Sequence, residues 1–250
     1  MSWFEDEAFW ARWGVALEEP DAAEAAEVAR GFVDLARLPE HGRVLDVGCG
    51  HGRHALALAR LGYEATALDV SARRLLRVRE VSESEGLGVE IVRRDMRTFN
   101  RPRHFHGILW SGDAVGLFAE VEDEKRVLEQ LYDSLKPGGR LVVAPRGKEL
   151  LSRGIQTQRW HWLDGSTLIL EERLVDDGWG RLRVRLTRVR HGVRAGSDQE
   201  TAEAAWRLFS GTELSDLLRK VGFTKIRLFG DFHRARYDMD AKRLVAVAER

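Results

Sequence analysis

The 250-residue sequence predicts an α/β fold, in which a mostly parallel sheet carries helices on both faces and a small antiparallel sheet is inserted after residue 148. Two observations support this prediction. Between residues 44 and 144, short apolar runs alternate with helical patterns, as parallel strands joined by helices require. After residue 148, apolar runs follow one another directly and are separated by the turns Asp164-Gly165 and Asp176-Asp177-Gly178.

Two helices are predicted ahead of the first strand. Four aromatic residues recur near helical spacing before Pro20, namely Trp3, Phe9, Trp10 and Trp13. Asp21 then begins a second amphipathic helix, whose apolar face carries Val28, Phe32 and Leu35.

The remaining elements follow from apolar periodicity and from turn residues. The alternating region predicts a strand at 44–47, a helix at 53–61 ended by Gly62, a strand at 64–70, a helix capped by Ser71, strands at 89–93 and 105–110, a helix at about 122–135, a Lys136-Pro137-Gly138-Gly139 turn and a strand at 140–144. The inserted strands are expected at 160–163, 167–175 and 181–190. In the last of these, leucine and valine alternate with arginine, which predicts one dry face. A helix capped by Thr212 and running to Lys220, with strands near 225–229 and 243–248, returns the chain to the parallel sheet.

Composition excludes several classes of function. Acidic and basic residues balance at forty each, so no overall field draws the protein toward nucleic acid or an anionic membrane. A single cysteine argues against an internal disulfide and a cysteine-rich zinc site, and we predict no metal site. The first ten residues do not resemble a secretory signal, and no apolar run is long enough to span a bilayer. We therefore expect one soluble, cytoplasmic domain that binds no membrane.

The most informative motif is the loop from Asp46 to Gly52. Glycines at 48, 50 and 52 let the backbone reverse sharply and approach a ligand, while the amides at the start of the following helix face outward. Asp69 closes the next strand, 23 residues after Asp46, where an acid accepts hydrogen bonds from both hydroxyls of a ribose. Together these features indicate a nucleotide-like ligand.

From about His41 to the C-terminus, the chain resembles the class I S-adenosylmethionine-dependent methyltransferases. Residues 44–52 match the first motif of that family, and residues 135–141 match its LKPGG turn before the fifth strand. Asp69 matches the acid that holds the ribose. Asp95 and Met96 match the pair whose carboxylate faces the adenine amino group while the neighbouring side chain packs on the ring. The resemblance implies these cofactor-binding residues: Asp46, Gly48, Cys49, Gly50, Gly52, Asp69, Val70, Asp95, Met96 and Trp110, with Trp3 and Trp10 from the N-terminal helix.

The resemblance also implies a Rossmann-like, doubly wound sheet of seven strands whose last strand is antiparallel. Within one domain, residues 1–38 would form an N-terminal helical lid and residues 41–147 the cofactor-binding core. Residues 148–200 would form the inserted β lid, and residues 201–250 the end of the core sheet. The aromatic residues of the lid could either close over the sulfonium, through a cation–π interaction, or anchor a helix.

A nicotinamide-dependent dehydrogenase is the main competing interpretation of the glycine loop. Asp46 argues against it, because dinucleotide sites present amides to a pyrophosphate, which repels a nearby carboxylate. In the methyltransferases this position lies at the amino-acid end of the cofactor, where a carboxylate orients the methionine ammonium. Cys49 lies inside the loop, and the resemblance implies that it fills space beneath the cofactor and is not a nucleophile.

The resemblance implies methyl transfer to nitrogen or oxygen of a small molecule by in-line displacement, for which alignment alone is effective. If a catalytic base exists, Asp113 and His161 are the leading candidates, with His233 and Tyr237 behind them. An RNA or protein methyltransferase and a non-catalytic cofactor-binding regulator remain alternatives. Six arginines could favour an anionic acceptor or RNA, although their alternation with apolar residues favours a solvated sheet face paired with nearby acids: Arg181, Arg183, Arg185, Arg188, Arg190 and Arg194. The sequence does not predict the oligomeric state.

Overall fold

The computed structural model describes residues 2–17, 22–190 and 199–250. Its strands are β1 (Arg43–Val47), β2 (Glu64–Asp69), β3 (Glu90–Arg93), β4 (Phe105–Ser111), β5 (Leu135–Ala144), β6 (Gln158–Trp162), β7 (Thr167–Val175), β8 (Arg181–Arg190), β9 (Gln199–Arg207), β10 (Thr224–Phe229) and β11 (Val245–Glu249). Its helices are α1 (Glu7–Leu17), α2 (Ala22–Ala36), α3 (Arg53–Arg60), α4 (Ala72–Ser84), α5 (Val121–Ser134), α6 (Lys148–Ser152) and α7 (Gly211–Val221). None of the helices within these ranges is long and apolar enough to cross a lipid bilayer.

Within the described residues, seven strands form one sheet in the order β10-β11-β5-β4-β1-β2-β3. All run parallel except β11, which is antiparallel to both of its neighbours, so the predicted Rossmann-like sheet with an antiparallel last strand is confirmed. Val47 lies opposite Leu68 on one side and Trp110 on the other. The loops after β1, β2 and β4 therefore leave the same edge of the sheet, which is where α/β folds bind ligands.

Helices cover both faces of this sheet. On one face, α2 presents Phe32 and Leu35 to the buried residues of β1 and β5, as the amphipathic pattern predicted. On the other, α5 packs against β5 and α7 packs against β10 and β11, with Leu128 and Leu218 buried. The predicted start of α2 at Asp21, after Pro20, lies outside the described residues.

The Lys-Pro-Gly-Gly turn is placed differently from the prediction. Strand β5 begins before it, at Leu135, which pairs with Phe105. The next pair joins Arg140 to Gly107, so residues 136–139 loop out of the strand as a long bulge. Gly138 has a φ of +76° there, a left-handed conformation that favours glycine.

The cap of α7 also differs from the prediction. Ser210, not Thr212, caps this helix, because its hydroxyl accepts a hydrogen bond from the Glu213 amide at 3.1 Å. The Glu213 carboxylate accepts one in return from the Ser210 amide at 2.8 Å, which completes a capping box. The predicted cap of α4 is confirmed, since the Ser71 hydroxyl accepts from the Arg74 amide at 3.3 Å.

In the part of the chain that the structure describes, the small antiparallel sheet has four strands, in the order β6-β7-β8-β9. Three were predicted, and β9 was missed because its alanine- and glutamate-rich sequence has weak strand propensity. Pairing with β8 along its whole length overrides that propensity. The sheet therefore continues past the predicted boundary at residue 200 and ends at Arg207. The short helix α6 was also missed.

One face of the small sheet is dry, as predicted. Leu182, Val184 and Leu186 are buried against Ile169 and Trp206. Phe9 and Trp13 of α1 belong to the same apolar cluster, so α1 packs on this sheet.

Two of the arginines of β8 are engaged by neighbouring groups, Arg185 by acids and Arg181 by backbone carbonyls. Arg185 lies 3.1 Å from the Glu203 carboxylate and 3.7 Å from that of Glu172, which supports a solvated, ion-paired face. Arg181 donates to the carbonyls of Phe118 and Ala119. Arg194 lies outside the described residues.

Candidate active site

A cavity of about 770 Å³ opens at the carboxyl ends of β1, β2 and β4. The glycine loop forms the floor of this cavity. The N-terminal segment, residues 2–17, forms one wall, and the small sheet forms another. Eleven of the predicted site residues line it: Asp46, Gly48, Cys49, Gly50, Asp69, Val70, Asp95, Met96, Trp10, Asp113 and His161. The sequence prediction therefore located the cavity and most of its floor.

Gly52, Trp110 and Trp3 do not line the cavity, and each has a structural role instead. Gly52 has a φ of +75°, and a Cβ there would lie 2.6 Å from a methyl group of Val78, so it allows α3 to approach α4. Trp110 is buried, and its indole N–H donates to the Ala114 carbonyl at 2.9 Å. Trp3 packs edge-on against a core tryptophan of the small sheet, at 5.0 Å between ring centroids.

Asp46 lies buried at the start of the glycine loop. One carboxylate oxygen accepts a hydrogen bond from the Ala55 amide at 3.0 Å, so Asp46 also ties down the first turn of α3. Burial raises the pKa of Asp46 from 3.8 to about 7. The neighbouring His54 ring is 4.0 Å away and neutral, because burial lowers its pKa to about 3.

Asp69 joins the first two loops of the site. Its oxygens accept hydrogen bonds from the Gly50 amide at 2.8 Å and the Ser71 amide at 2.9 Å. The Arg74 guanidinium lies 3.8 Å away. A carboxylate oxygen can accept two hydrogen bonds, so each retains one acceptor position for a ribose hydroxyl.

Asp95 is held by a residue that the sequence prediction missed. The Arg97 guanidinium donates to both of its carboxylate oxygens, at 2.6 to 3.1 Å. Burial alone would raise the pKa of Asp95, but the hydrogen bonds from Arg97 outweigh it and hold the pKa below its ordinary value. The adjacent Met96 lies against the glycine loop, with its methyl carbon 3.2 Å from where a Cβ of Gly48 would stand.

Cys49 has the environment of a packing residue. Its thiol is buried, and burial followed by the charges of Asp69 and Asp46 raises its pKa. A protonated thiol is a poor nucleophile, which supports the space-filling role.

The N-terminal segment is attached to the cofactor loops at several points. The Glu7 carboxylate accepts from the Ser71 hydroxyl at 2.8 Å and the Ala72 amide at 2.7 Å, so it caps α4 together with Ser71. The Arg74 guanidinium lies 3.8 Å above the Trp10 ring. Trp10 therefore faces the cavity, whereas the other three aromatics of the predicted stripe are core anchors: Trp3, Phe9 and Trp13.

The side of the cavity formed by the residues after β4 and β5 and by the small sheet, called the acceptor side below, combines guanidinium and carboxylate groups. Arg146, just after β5, donates to the Asp113 carboxylate at 2.5 Å and lies 4.9 Å above the Trp206 ring. On the small sheet, His161 Nδ1 lies 3.8 Å from the buried Glu171 carboxylate, which accepts from Arg173 at 2.8 Å.

Sequence reasoning missed part of this side. Arg146, Glu171 and Arg173 all line the cavity. Only Arg146 had a detectable signal, its position directly after a parallel strand. The other two base candidates lie elsewhere: His233 contacts Glu27 at 2.7 Å, and the Tyr237 hydroxyl donates to Glu149 at 2.8 Å.

Comparison with known proteins agrees with this geometry. Residues 44–139, which include the glycine loop, Asp69 and Asp95, match the family described as a methyltransferase domain. Along most of its length, the chain is similar to the class I S-adenosylmethionine-dependent methyltransferases. The glycine/sarcosine N-methyltransferase of Aphanothece halophytica is 26% identical over 231 residues, which cover 90% of this chain and 83% of that protein. The corresponding protein of Halorhodospira halochloris is 26% identical over 211 residues, covering 83% and 75%.

Solved methyltransferase structures share the fold. The CcbJ methyltransferase of Streptomyces caelestis superposes with a TM-score of 0.76 at 22% identity, covering 92% of this chain and 98% of that one. The S-adenosylmethionine-bound amino pentose methyltransferase CalS10 of Micromonospora echinaspora gives 0.69 at 21% identity, covering 98% and 97%.

The residues of this methyltransferase fit S-adenosylmethionine. A Cβ at Gly48 would stand 2.5 Å from Ala114, so only glycine leaves this close approach open. In the arrangement that the family resemblance implies, Asp46 would hold the methionine ammonium and Asp69 the ribose. Asp95 and Met96 would hold the adenine.

Proposed function

We propose that this methyltransferase acts on the nitrogen of a small amine that also carries an anionic group. The main support is Arg146, whose guanidinium lines the acceptor side of the cavity beside a carboxylate and an aromatic ring. Guanidinium groups bind carboxylates through paired, charge-assisted hydrogen bonds. An acceptor with both signs of charge complements this wall.

Arg146 is held where it can orient such an acceptor. Asp113 accepts a hydrogen bond at one end of the guanidinium, and the Trp206 ring lies beneath it. The Trp206 indole N–H in turn donates to the Asp113 carbonyl at 3.0 Å. This arrangement restricts the guanidinium, so less rotational freedom is lost when an anion binds. Asp113 thus positions Arg146, and this pairing engages its carboxylate.

His161 is the better-placed base. An amine acceptor is an ammonium near neutral pH and must lose a proton before its nitrogen can attack. His161 lines the cavity, and its Nδ1 lies 3.8 Å from the buried Glu171 carboxylate, which is close enough to orient the ring. Bound S-adenosylmethionine supplies the electrophilic methyl group. The remaining task of the protein is to align the nitrogen with it and exclude water.

A small acceptor fits the enclosure of the site. The N-terminal segment contributes Phe4 and Trp10 to the cavity, and the small sheet contributes His161 and Arg173, so both cover the cofactor loops. The curated relatives above are glycine/sarcosine N-methyltransferases, whose named acceptors are small amines with a carboxylate. We also propose a cytoplasmic location, which the single buried thiol supports.

The test is an acceptor panel with methyl-labelled S-adenosylmethionine. We expect label transfer to glycine, sarcosine or a longer amino acid, and little to the matched amines without a carboxylate, methylamine and ethanolamine. Equal or preferred use of the amines without a carboxylate, or of an amino sugar, would refute the requirement for an anion. Cofactor binding without turnover of any amine would favour the regulator alternative.

A matched pair of variants locates the anion site. Arg146→Gln should raise the acceptor KM about 10- to 100-fold, the range expected for a lost charged hydrogen bond, and leave the S-adenosylmethionine Kd unchanged. Arg183→Gln, on the exposed face of β8, removes the same charge away from the cavity and should change neither. An unchanged KM in the Arg146 variant would exclude this assignment.

A further inference from the structure

We propose that Arg97 is a positioning residue that couples adenine recognition at Asp95 to closure of the N-terminal segment over the cavity. Arg97 does not itself line the cavity. It lies behind the residues that do. Four parts of the chain meet there: the loop after β3 that carries Asp95 and Met96 (the adenine loop), the N-terminal turn Trp3–Glu5, the loop after β4, and helix α5. The proposal rests on the cofactor site and is independent of which acceptor is methylated.

The first contact is with the adenine loop. Arg97 donates through its backbone amide to Asp95 at 2.8 Å and through Nε and Nη2 to both carboxylate oxygens. This fork-to-fork arrangement fixes the plane of the carboxylate relative to the guanidinium. Any movement of the carboxylate toward an adenine amino group must therefore move or tighten Arg97.

The second contact is with the N-terminal segment. The same Nη2 that serves Asp95 donates to Glu5 at 2.7 Å. Glu5 ends the turn that carries Phe4, and both residues line the cavity. The other Glu5 oxygen accepts from the Ser2 amide at 3.1 Å, so the turn moves as a unit. One nitrogen thus links the adenine carboxylate to the wall above it.

The third set of contacts explains why the guanidinium is held in place. Arg97 lies 4.9 Å from the centre of the Phe118 ring, which packs edge-on against Phe4 at 5.4 Å. Its Nη1 lies 3.8 Å from the Asp123 carboxylate of α5. Among the described residues, three carboxylates from three elements therefore share one cation that is 24% exposed. Loss of one carboxylate therefore changes how strongly the other two attract the Arg97 guanidinium.

This geometry predicts reciprocal coupling. Phe4 and Trp10 line the cavity, so movement of the segment changes how the cofactor enters and leaves. Adenine bound at Asp95 would hold Arg97 in the orientation that receives Glu5. By linkage, the attached segment must strengthen adenine binding by the same factor.

The structure offers a matched control for a general loosening of the segment. Glu7 attaches the same segment to the first turn of α4 and contacts neither Asp95 nor Arg97. Glu7→Gln should therefore loosen the segment and leave the adenine coupling in place. Glu5→Gln should remove the coupling.

Hydrogen exchange of amides in residues 3–10 tests the proposal, with adenosine and S-adenosylhomocysteine as the probes. In the wild type and in Glu7→Gln, saturating adenosine should slow this exchange. In Arg97→Gln and Glu5→Gln, saturating adenosine should leave it unchanged. An equal slowing in the Arg97 variant at saturation would overturn the proposal, since a residue with only a scaffold role would leave the ligand response intact.

Affinities for S-adenosylhomocysteine complete the test. We expect Arg97→Gln and Glu5→Gln each to weaken binding about 5- to 20-fold, and the double variant to be no weaker than Arg97→Gln alone. Fully additive losses, or no loss in Glu5→Gln, would overturn the coupling. Urea unfolding checks that each variant is folded. If Arg97→Gln is not folded, Arg97→Lys is measured in its place, because lysine keeps the charge but cannot form the paired hydrogen bonds of a guanidinium. These outcomes do not depend on the acceptor, so they are separable from failure of the proposed function.

Discussion

The two sides of the cavity are built on different principles. On the cofactor side, short buried acids bind backbone amides, as Asp46 does with Ala55 and Asp69 does with Gly50 and Ser71. On the acceptor side, long side chains bridge separate elements, as Arg146 does to Asp113. Short acids on backbone leave few degrees of freedom, which suits a ligand that never changes. Long paired side chains are adjustable, which suits an acceptor that differs between relatives.

The largest effect should come from adding a single carbon on the cofactor side. Gly48→Ala places a Cβ 2.5 Å from Ala114 at a φ of +62°. The loop must shift, because both backbone strain and the clash oppose the present geometry. We expect S-adenosylmethionine affinity to fall at least about 100-fold, measured by calorimetric titration.

Gly138→Ala is the matched control for this variant. Gly138 has a similar φ of +76°, no atom lies within 4 Å of its added Cβ, and it occurs at the opposite end of the sheet. Gly138→Ala should therefore introduce similar backbone strain but leave the affinity for S-adenosylmethionine unchanged. Equal losses in the two variants would show that general destabilisation, and not the cofactor-side geometry, is responsible.

Asp69→Ala should have the next largest effect. It removes the acceptor of two loop amides and of the ribose hydroxyls, which should cost about 2 to 3 kcal/mol of cofactor binding, or about 30- to 150-fold. Asp164→Ala is the control, because Asp164 makes the same kind of bond to a backbone amide, that of Ser166 at 2.7 Å, in an exposed hairpin. Unchanged affinity in a folded Asp69 variant would refute the ribose assignment. Arg146→Gln should raise the acceptor KM, and Asp69→Ala should raise the cofactor Kd. If Arg146→Gln instead raised the cofactor Kd, or Asp69→Ala the acceptor KM, the two sides of the cavity would not differ as described.

The difference between the two sides explains what the sequence could predict. The order of parallel strands and the carboxylates at their ends follow from local patterns, because each side chain acts on backbone within a few residues or on the adjacent strand. Strand β9 could not be predicted, since its Ala- and Glu-rich sequence favours helix and only pairing with β8 makes it a strand. The resulting boundary error at residue 200 has the same cause.

The acceptor side and Arg97 could not be predicted for a related reason. Glu171 and Arg173 alternate along β7 like residues of any solvated strand, and only the tertiary fold turns their side of β7 toward the cavity. Arg97 is two residues from Asp95 and therefore close in the sequence, but its contact with Glu5 spans 92 positions. Trp3 and Trp110 were misplaced because an aromatic near a motif can equally well be core.

The smallest predicted effect is a pH dependence confined to the cofactor side. Asp46 has a pKa of about 7 in the free protein because it is buried, so it is mostly protonated at pH 6. The ammonium of S-adenosylhomocysteine stays mostly charged up to pH 7, and when bound it favours the ionised form of Asp46. Binding therefore releases a proton from Asp46, so the affinity rises with pH. We expect about a fivefold gain between pH 6 and pH 7 by titration calorimetry. Asp46→Asn keeps an acceptor for the Ala55 amide but cannot ionise, and its affinity should be flat over this range. An equal slope in that variant would assign the proton to another group, and an affinity that falls as pH rises would contradict a carboxylate facing the ammonium.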